Sequence, residues 1–291
     1  MTKKIGIIGF GFVGSAVRFG FSPNTGYDAE IKIFDKDKNK STDSLEVVVN
    51  DSDFIFVSVP TPSNEDGKIN LNVVDDVLND INNVQKNDNI ILLRSTMIPG
   101  SSQNFQNKYP KLNLVFNPEF LTERSANFDF INQSRFILGG KAKHTSKVSE
   151  LYKWRFGETI PVIETNFETA ELIKYMNNCF FATKVSFMNE MKLLANKCNA
   201  DWELAVEGFV RDGRVGHSHL NVPGHDGKNG FGGSCFPKDI QAIIEYGNSM
   251  GVDMNTLIGA WKTNLFVRPE RDWEELKGRA VVEEKSNGTK K

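Results

Sequence analysis

The hexapeptide Gly9-Phe10-Gly11-Phe12-Val13-Gly14 directly follows a short apolar run, Lys4–Ile8, and opens a helix-compatible stretch, Val13–Phe21. A G-x-G-x-x-G pattern is weak alone. Between a strand and a helix it becomes the fingerprint of a dinucleotide-binding turn. Gly9 allows the tight turn, Gly11 lets a pyrophosphate approach the backbone, and Gly14 lets helix and strand pack closely. Phe12 and Val13 complete the first turn, whose N-terminus carries the positive end of the helix dipole. A second strand-like run ends in Asp35, 21 residues after Gly14. An acid there accepts the ribose hydroxyls of NAD and repels the 2′-phosphate of NADP, a discrimination that Lys36 and Lys38 soften. The competing reading is a glycine turn in an α/β fold that binds nothing.

The first half alternates in the same manner. Glu30–Phe34, Asp53–Val59, Asn89–Leu93, Asn113–Phe116 and Ser134–Leu138 read as buried strands. Val73–Val84 and Lys143–Phe156 read as intervening helices. Short, continuously apolar runs separated by helices predict a parallel sheet covered on both faces. From Glu168 to Cys198 there is no Gly or Pro, which predicts one long helix, with further helices over Trp202–Val210 and Lys238–Met250. The expected fold is α/β: a doubly wound Rossmann domain over 1–160, a mostly helical domain over 161–265, and a tail over 266–291 with a short helix.

Bulk properties narrow the function. A net charge of −2 over 291 residues gives no reason to expect nucleic acid as a partner. No apolar run approaches the ~18 residues of a membrane span. Three scattered cysteines, Cys179, Cys198 and Cys235, make no disulfide framework, and without a secretory signal the expected compartment is the reducing cytoplasm. The sequons at Asn39, Asn132 and Asn287 are then chance matches.

Cys235 lies in Asn229-Gly-Phe-Gly-Gly-Ser-Cys-Phe-Pro-Lys-Asp239. Gly230, Gly232 and Gly233 remove side-chain bulk, which would let a ligand come close to the backbone. Pro237 stiffens the exit, Lys238 and Asp239 bring charge within one turn, and a helix starting near Pro237 favours a thiolate. A thiol beside a nicotinamide can capture an aldehyde as a thiohemiacetal, which hydride loss converts to a thioester. Cys179 and Cys198 sit in apolar helical context and read as packing residues. On the long helix Glu171, Lys174, Asn178 and Asn189 share one stripe. It is either a solvated face or the lining of a cleft, where Lys174 and Asn178 would stabilise an oxyanion. His217, His219, His225, Asp226 and Cys235 can be drawn as a zinc site, but the spacing matches no recognised ligand pattern, and no metal is expected. His144 reads as a surface residue.

Taken in order along residues 5 to about 265, the motifs resemble the UDP-glucose/GDP-mannose dehydrogenase family. They are Gly9–Gly14, Asp35, Val59-Pro60-Thr61-Pro62, Arg94–Gly100, Asn117–Glu123, Ala170–Lys174 and Gly230–Asp239. The resemblance implies NAD as cofactor and two successive oxidations of a nucleotide-sugar C6 alcohol to the uronic acid. It makes Cys235 the nucleophile, Lys174 and Asn178 the oxyanion stabilisers, and Asp239 with Thr96 and a water the proton-transfer group. Glu123 matches the carboxylate implicated in thioester hydrolysis, near the nicotinamide. Thr61, Thr96 and Lys238 match cofactor contacts. Glu119, Phe120 and Leu121 match a substrate-lining loop, as do His219, Leu220, Asn221 and Gly232. Arg214 matches an arginine that reaches substrate on a neighbouring subunit, and the long helix matches the family's dimer contact.

The chain departs from the pattern in three places. The family usually carries a further domain of more than a hundred residues, which this sequence is expected to lack. The stretch from Asp35 to Asp53 is short, and Pro223–Lys228 reads as a small insertion. Two rival readings follow. β-Hydroxyacid and 6-phosphogluconate dehydrogenases share the layout but oxidise once and need no thiol. A catalytically weak NAD-binding scaffold would release no NADH.

Overall fold

The computed structural model describes residues 2–283. They form two compact units, residues 2–61 with 71–174, and residues 62–70 with those from 175 onward. The polar end from Ser286 and the sequon at Asn287 lie outside the described residues.

The first unit is a seven-stranded sheet. In chain order its elements are β1 (Lys4–Ile8), α1 (Phe12–Gly20), β2 (Glu30–Phe34), α2 (Leu45–Asn50), β3 (Phe54–Val57), α3 (Asn72–Val84), β4 (Ile90–Leu93), α4 (Ser101–Lys108), β5 (Asn113–Phe116), α5 (Ala126–Ile131), β6 (Phe136–Gly140), α6 (Ala142–Phe156) and β7 (Val162–Thr165). The spatial order is β2-β1-β3-β4-β5-β6-β7. The reversal between β1 and β3 is the switch point at which open α/β sheets bind ligands beyond their strand ends.

The central strands β3, β4 and β5 are almost wholly apolar because both their faces are covered. Ile5, Ile7, Phe54, Phe56, Ile90 and Leu92 pack against Ala16, Val17, Phe130 and Tyr152. Their neighbours Ile8, Ile55, Val57, Ile91 and Leu93 face the other way, onto Val48, Val74, Leu78 and Phe105. One pairing departs from the expected all-parallel sheet. β6 runs antiparallel to β5, with Val115 opposite Gly140 and Phe116 opposite Gly139. The link between them carries only a short 3₁₀ turn, Glu123–Ser125, and α5. Residues 117–135 are long enough for a parallel crossover, so the direction of β6 is set by the path of the link and not by its length.

α7 (Phe167–Cys198) begins in the first unit and continues into the second. The second unit adds α8 (Trp202–Val210), α9 (Phe236–Ser249), α10 (Asn255–Val267) and a 3₁₀ turn at Asp272–Glu275. Asp201 caps α8 by accepting the Leu204 N–H at 3.1 Å. Met188, Ala195, Trp202 and Leu220 form a small core. Segment 62–70 belongs here because Ser63 exchanges backbone hydrogen bonds with Ala280 and Val282, at 2.9 Å each. Two sequence expectations fail on burial. His144 is buried on α6, where its face of the helix turns to the sheet, and burial lowers its pKa with help from Lys143 and Lys141. Cys198, at the last turn of α7, is exposed and packs no core.

Candidate active site

The candidate residues are carried by both units. In the first, the glycine turn is held at the switch point by its neighbours. The Gly9 N–H donates to Phe34 O at 3.0 Å, and the Ser58 N–H donates to Ile8 O at 2.8 Å. Gly9 has φ +89°, and a Cβ there would stand 2.5 Å from Ser58 O. A Cβ on Gly14 would strike the Gly9 carbonyl oxygen, whereas one on Gly11 would meet nothing within 4 Å. Phe12 and Val13 form the first turn of α1, which has no side-chain cap. The Asp35 carboxylate accepts the Phe10 N–H at 2.6 Å and the Asp37 N–H at 2.9 Å. An uncapped helix N-terminus beneath an open glycine, with a carboxylate at the end of β2, fits a dinucleotide.

The loops leaving β3 and β4 are tied together. Thr61 Oγ1 donates to Thr96 O at 3.0 Å, and Ser95 Oγ donates to Val59 O at 2.6 Å. Beyond β5, Glu119 is buried. Its Oε2 accepts the Leu121 N–H at 2.6 Å, while Lys174 Nζ lies 2.9 Å from Oε1 and 2.6 Å from the backbone oxygen. Phe120 stacks beneath Arg135, and the Leu121 side chain is buried. Glu123 is exposed and lines a cavity of about 380 Å³ with Phe12 and Ser15 of α1. Glu171 accepts the Gly100 and Ser102 N–H groups, each at 2.7 Å, at the start of α4. Burial pushes its carboxyl up to about 7, against the pull of those bonds.

In the second unit Cys235 is the N-cap residue of α9, half-buried, with Pro237 in the first turn. One turn on, Asp239 is buried. Its Oδ2 accepts the Asn178 Nδ2–H at 2.6 Å, and its Oδ1 accepts from Lys238 Nζ at 2.5 Å. Asn189 Oδ1 accepts the Gly230 N–H at 3.1 Å. Glu171, Lys174, Asn178 and Asn189 are therefore all buried, and the stripe is not a solvated face.

The glycines before the thiol need a corrected explanation. A Cβ on Gly230 would strike Asn264 Oδ1, and one on Gly232 would lie 2.6 Å from the Arg268 Cζ. Those two make room for side chains of this chain, not for a ligand. Only Gly233, at φ +71°, has nothing within 4 Å of its Cβ position. His219, at φ +63°, stacks on Phe181 at 4.2 Å between centroids. Leu220 belongs to the small core, while Asn221 is exposed. Arg214 is exposed and paired with Asp212. Among the described residues, no group of three or more His, Cys, Asp or Glu could hold a metal ion. None of their helices is long and apolar enough to cross a membrane.

Two family models match this chain. One, for the NAD-binding domain of the UDP-glucose/GDP-mannose dehydrogenase family, covers residues 31–155, and the other, for its central domain, covers residues 168–265. The chain belongs to the UDP-glucose/GDP-mannose dehydrogenase family. NAD is the cofactor of that family's N-terminal domain. A UDP-glucose 6-dehydrogenase from Rickettsia prowazekii is 34% identical over 235 residues, covering 79% of this chain and 53% of that one. The chain thus spans about half the length of the curated relatives it matches. Among solved structures, a UDP-glucose dehydrogenase from Pyrobaculum islandicum matches with TM-score 0.80 at 25% identity, covering 91% of this chain and 68% of that one. A 3-hydroxyisobutyrate dehydrogenase from Mycobacterium tuberculosis shares the fold alone, with TM-score 0.74 at 16% identity, covering 93% of this chain and 95% of that one.

Sequence reasoning missed Asn264 and Arg268, which come to the thiol loop from α10 and its C-cap. It also missed the role of Arg94. That side chain is buried, with Nη1 donating to Asn117 Oδ1 at 2.6 Å and to Tyr152 Oη at 3.3 Å. Arg94 and Asn264 depend on partners at least 23 residues away, and for Arg268 the local partner is Asp272, four residues on.

Proposed function

We propose that this chain oxidises the C6 alcohol of a nucleotide-sugar to the carboxylate in two NAD-dependent steps, with UDP-glucose as the first substrate to test. The observation that carries the reading is the cluster at the start of α9. Cys235 caps the helix, and Asp239, one turn on, is fixed by Asn178 and Lys238. This is a nucleophile with a positioned carboxylate near it.

Each NAD, when bound, supplies the acceptor for one hydride, so two are used in turn, one per oxidation. Gly9–Gly14 and Asp35 would hold its pyrophosphate and ribose, with Thr61, Thr96, Glu123 and Lys238 as further contacts. In the first step the alcohol loses a proton and a hydride and becomes an aldehyde. Asp239, with Thr96 and a water, would take the proton. Cys235 Sγ adds to the aldehyde carbon, and the carbonyl oxygen gains a proton to give a thiohemiacetal. Loss of that proton and a second hydride leaves a thioester. Water then adds to the acyl carbon, the C–S bond breaks, and acid and thiol are released, with Glu123 assisting hydrolysis. The covalent bond keeps the aldehyde from escaping between oxidations. Lys174 and Asn178 would stabilise the oxygen charge that develops in these steps. Glu119, Phe120, Leu121, His219 and Asn221 would line the sugar site, with Leu220 and Gly232 offering backbone alone, since the small core and Arg268 take their side-chain space. Arg214 would act on the substrate of a neighbouring copy, paired through α7.

The test is NADH formed per sugar consumed. Two per UDP-glucose supports the double oxidation. One points to a single-step hydroxyacid-type reaction. None, repeated with GDP-mannose and UDP-N-acetyl sugars, leaves a binding role.

A further inference from the structure

The segment before the thiol is held from one side by α10. Asn264, fully buried, grips one residue by both backbone groups: its Oδ1 accepts the Phe231 N–H at 2.7 Å, and its Nδ2–H donates to Phe231 O at 3.0 Å. One turn later the Arg268 guanidinium, 2% exposed, covers Gly232. Its Nη1 donates to Asn229 O at 3.3 Å. Its Nη2 reaches Asp226 at 2.7 Å and Asp272 at 2.6 Å, and its Nε reaches Asp272 at 2.8 Å. Asp226 lies in the segment that reads as an insertion, so that segment serves to anchor the arginine. Between Phe231 and Cys235 stand only Gly232, Gly233 and Ser234. Gly233 alone of these has a left-handed backbone and open surroundings. The sulfur is therefore located by α9 behind it and by this clamp in front of it.

We propose that Asn264 and Arg268 are positioning residues for Cys235, with Asp226 and Asp272 holding Arg268 in place. The proposal rests on the reading of Cys235 as the nucleophile, but its test does not require turnover. The full chain is treated with iodoacetamide at pH 7, and alkylation of each cysteine is followed by peptide mass spectrometry. Arg268→Ala, Arg268→Lys and Asp226→Ala are compared with the parent. Loss of the clamp frees the segment locally, so alkylation of Cys235 is expected to rise by roughly fivefold in Arg268→Ala. Arg268→Lys should fall between, since an ammonium keeps the charge but cannot span both aspartates and Asn229. Buried Cys179 should remain slow and exposed Cys198 unchanged. If Arg268→Ala does not fold, Asp226→Ala, whose side chain is 35% exposed, carries the test with a smaller rise. An unchanged Cys235 rate in folded variants overturns the proposal, as does a rise in Cys179 in step with Cys235, which would report general loosening. Where the parent forms NADH, the same variants should lose kcat while keeping NAD affinity. A parent that forms none fails the dehydrogenase reading without touching the alkylation result.

Discussion

Lys174 holds Glu119 at two points, 2.6 Å from its backbone oxygen and 2.9 Å from its carboxylate, with both side chains buried. Burial pushes the Glu119 carboxyl up. The Lys174 charge, the Leu121 N–H and the Arg94 charge outweigh it, so the group titrates below the usual carboxylate range. A depressed folded pKa contributes stability above the unfolded value, and that stability is lost as pH falls through the folded one.

Truncating Lys174 should therefore cost stability as well as rate. Lys174→Ala strands a buried carboxylate and should lower unfolding free energy by about 3–5 kcal/mol, read from the urea midpoint. Adding Glu119→Gln should restore part of the loss, because the uncompensated charge is gone. A double variant no more stable than Lys174→Ala would mean that the pair does not act as one unit. A rate loss in Lys174→Ala counts toward catalysis only at temperatures where the variant stays folded.

Glu171 gives the opposite pH response. Its carboxyl is pushed up to about 7 by burial, while both oxygens accept N–H groups at the start of α4. The folded chain then binds a proton more tightly than the unfolded one. Stability should fall as pH rises from about 4.5 to about 7 and level off above, by up to ~3 kcal/mol. Glu171→Gln should flatten that slope in a series of thermal melts. A slope unchanged by the substitution would assign it to another group.

The glycines of the fingerprint should separate fold from binding. Gly14→Ala drives a methyl into the Gly9 carbonyl, which is backbone and cannot yield. It should destabilise by about 1–3 kcal/mol. Gly11→Ala meets nothing of the protein, so stability should change little while NAD affinity falls. Calorimetry measures both. Equal NAD binding by the Gly11→Ala chain and its parent would show that the pyrophosphate does not approach Gly11.

What the sequence made legible was local. The strand Asn113–Phe116 and helix Trp202–Val210 were readable because the apolar pattern lies within each segment and the α8 cap, Asp201, directly precedes it. α4, Ser-Ser-Gln-Asn-Phe-Gln-Asn-Lys, escaped because it is polar and is anchored by Glu171, some seventy residues away. β7 escaped because its side chains are half-exposed and no long apolar run marks it. The direction of β6 depends on the path of a link, not on composition. At the site, the glycine turn was legible because backbone geometry demands glycine at Gly9 and Gly14. The glycines at 230 and 232 were seen but misread, since what they make room for is Asn264 and Arg268 on a later helix.

The outer face of α7 carries an exposed apolar stripe. In the second unit Met176, Phe180, Phe187 and Leu194 recur at intervals of four and seven residues, and Phe180 is 65% exposed. Single exposed apolar residues need no explanation, but a stripe along one helix does. We expect a second copy of this chain to cover it. Fully burying one such side chain contributes about 1.5–3 kcal/mol. It would be buried twice in a symmetric pair, so Phe180→Glu should weaken pairing by well over tenfold. Light scattering at micromolar concentration should then give a dimer for the parent and a monomer for the variant. A monomeric parent would leave this face for another partner, and a variant that stays dimeric would place the interface elsewhere.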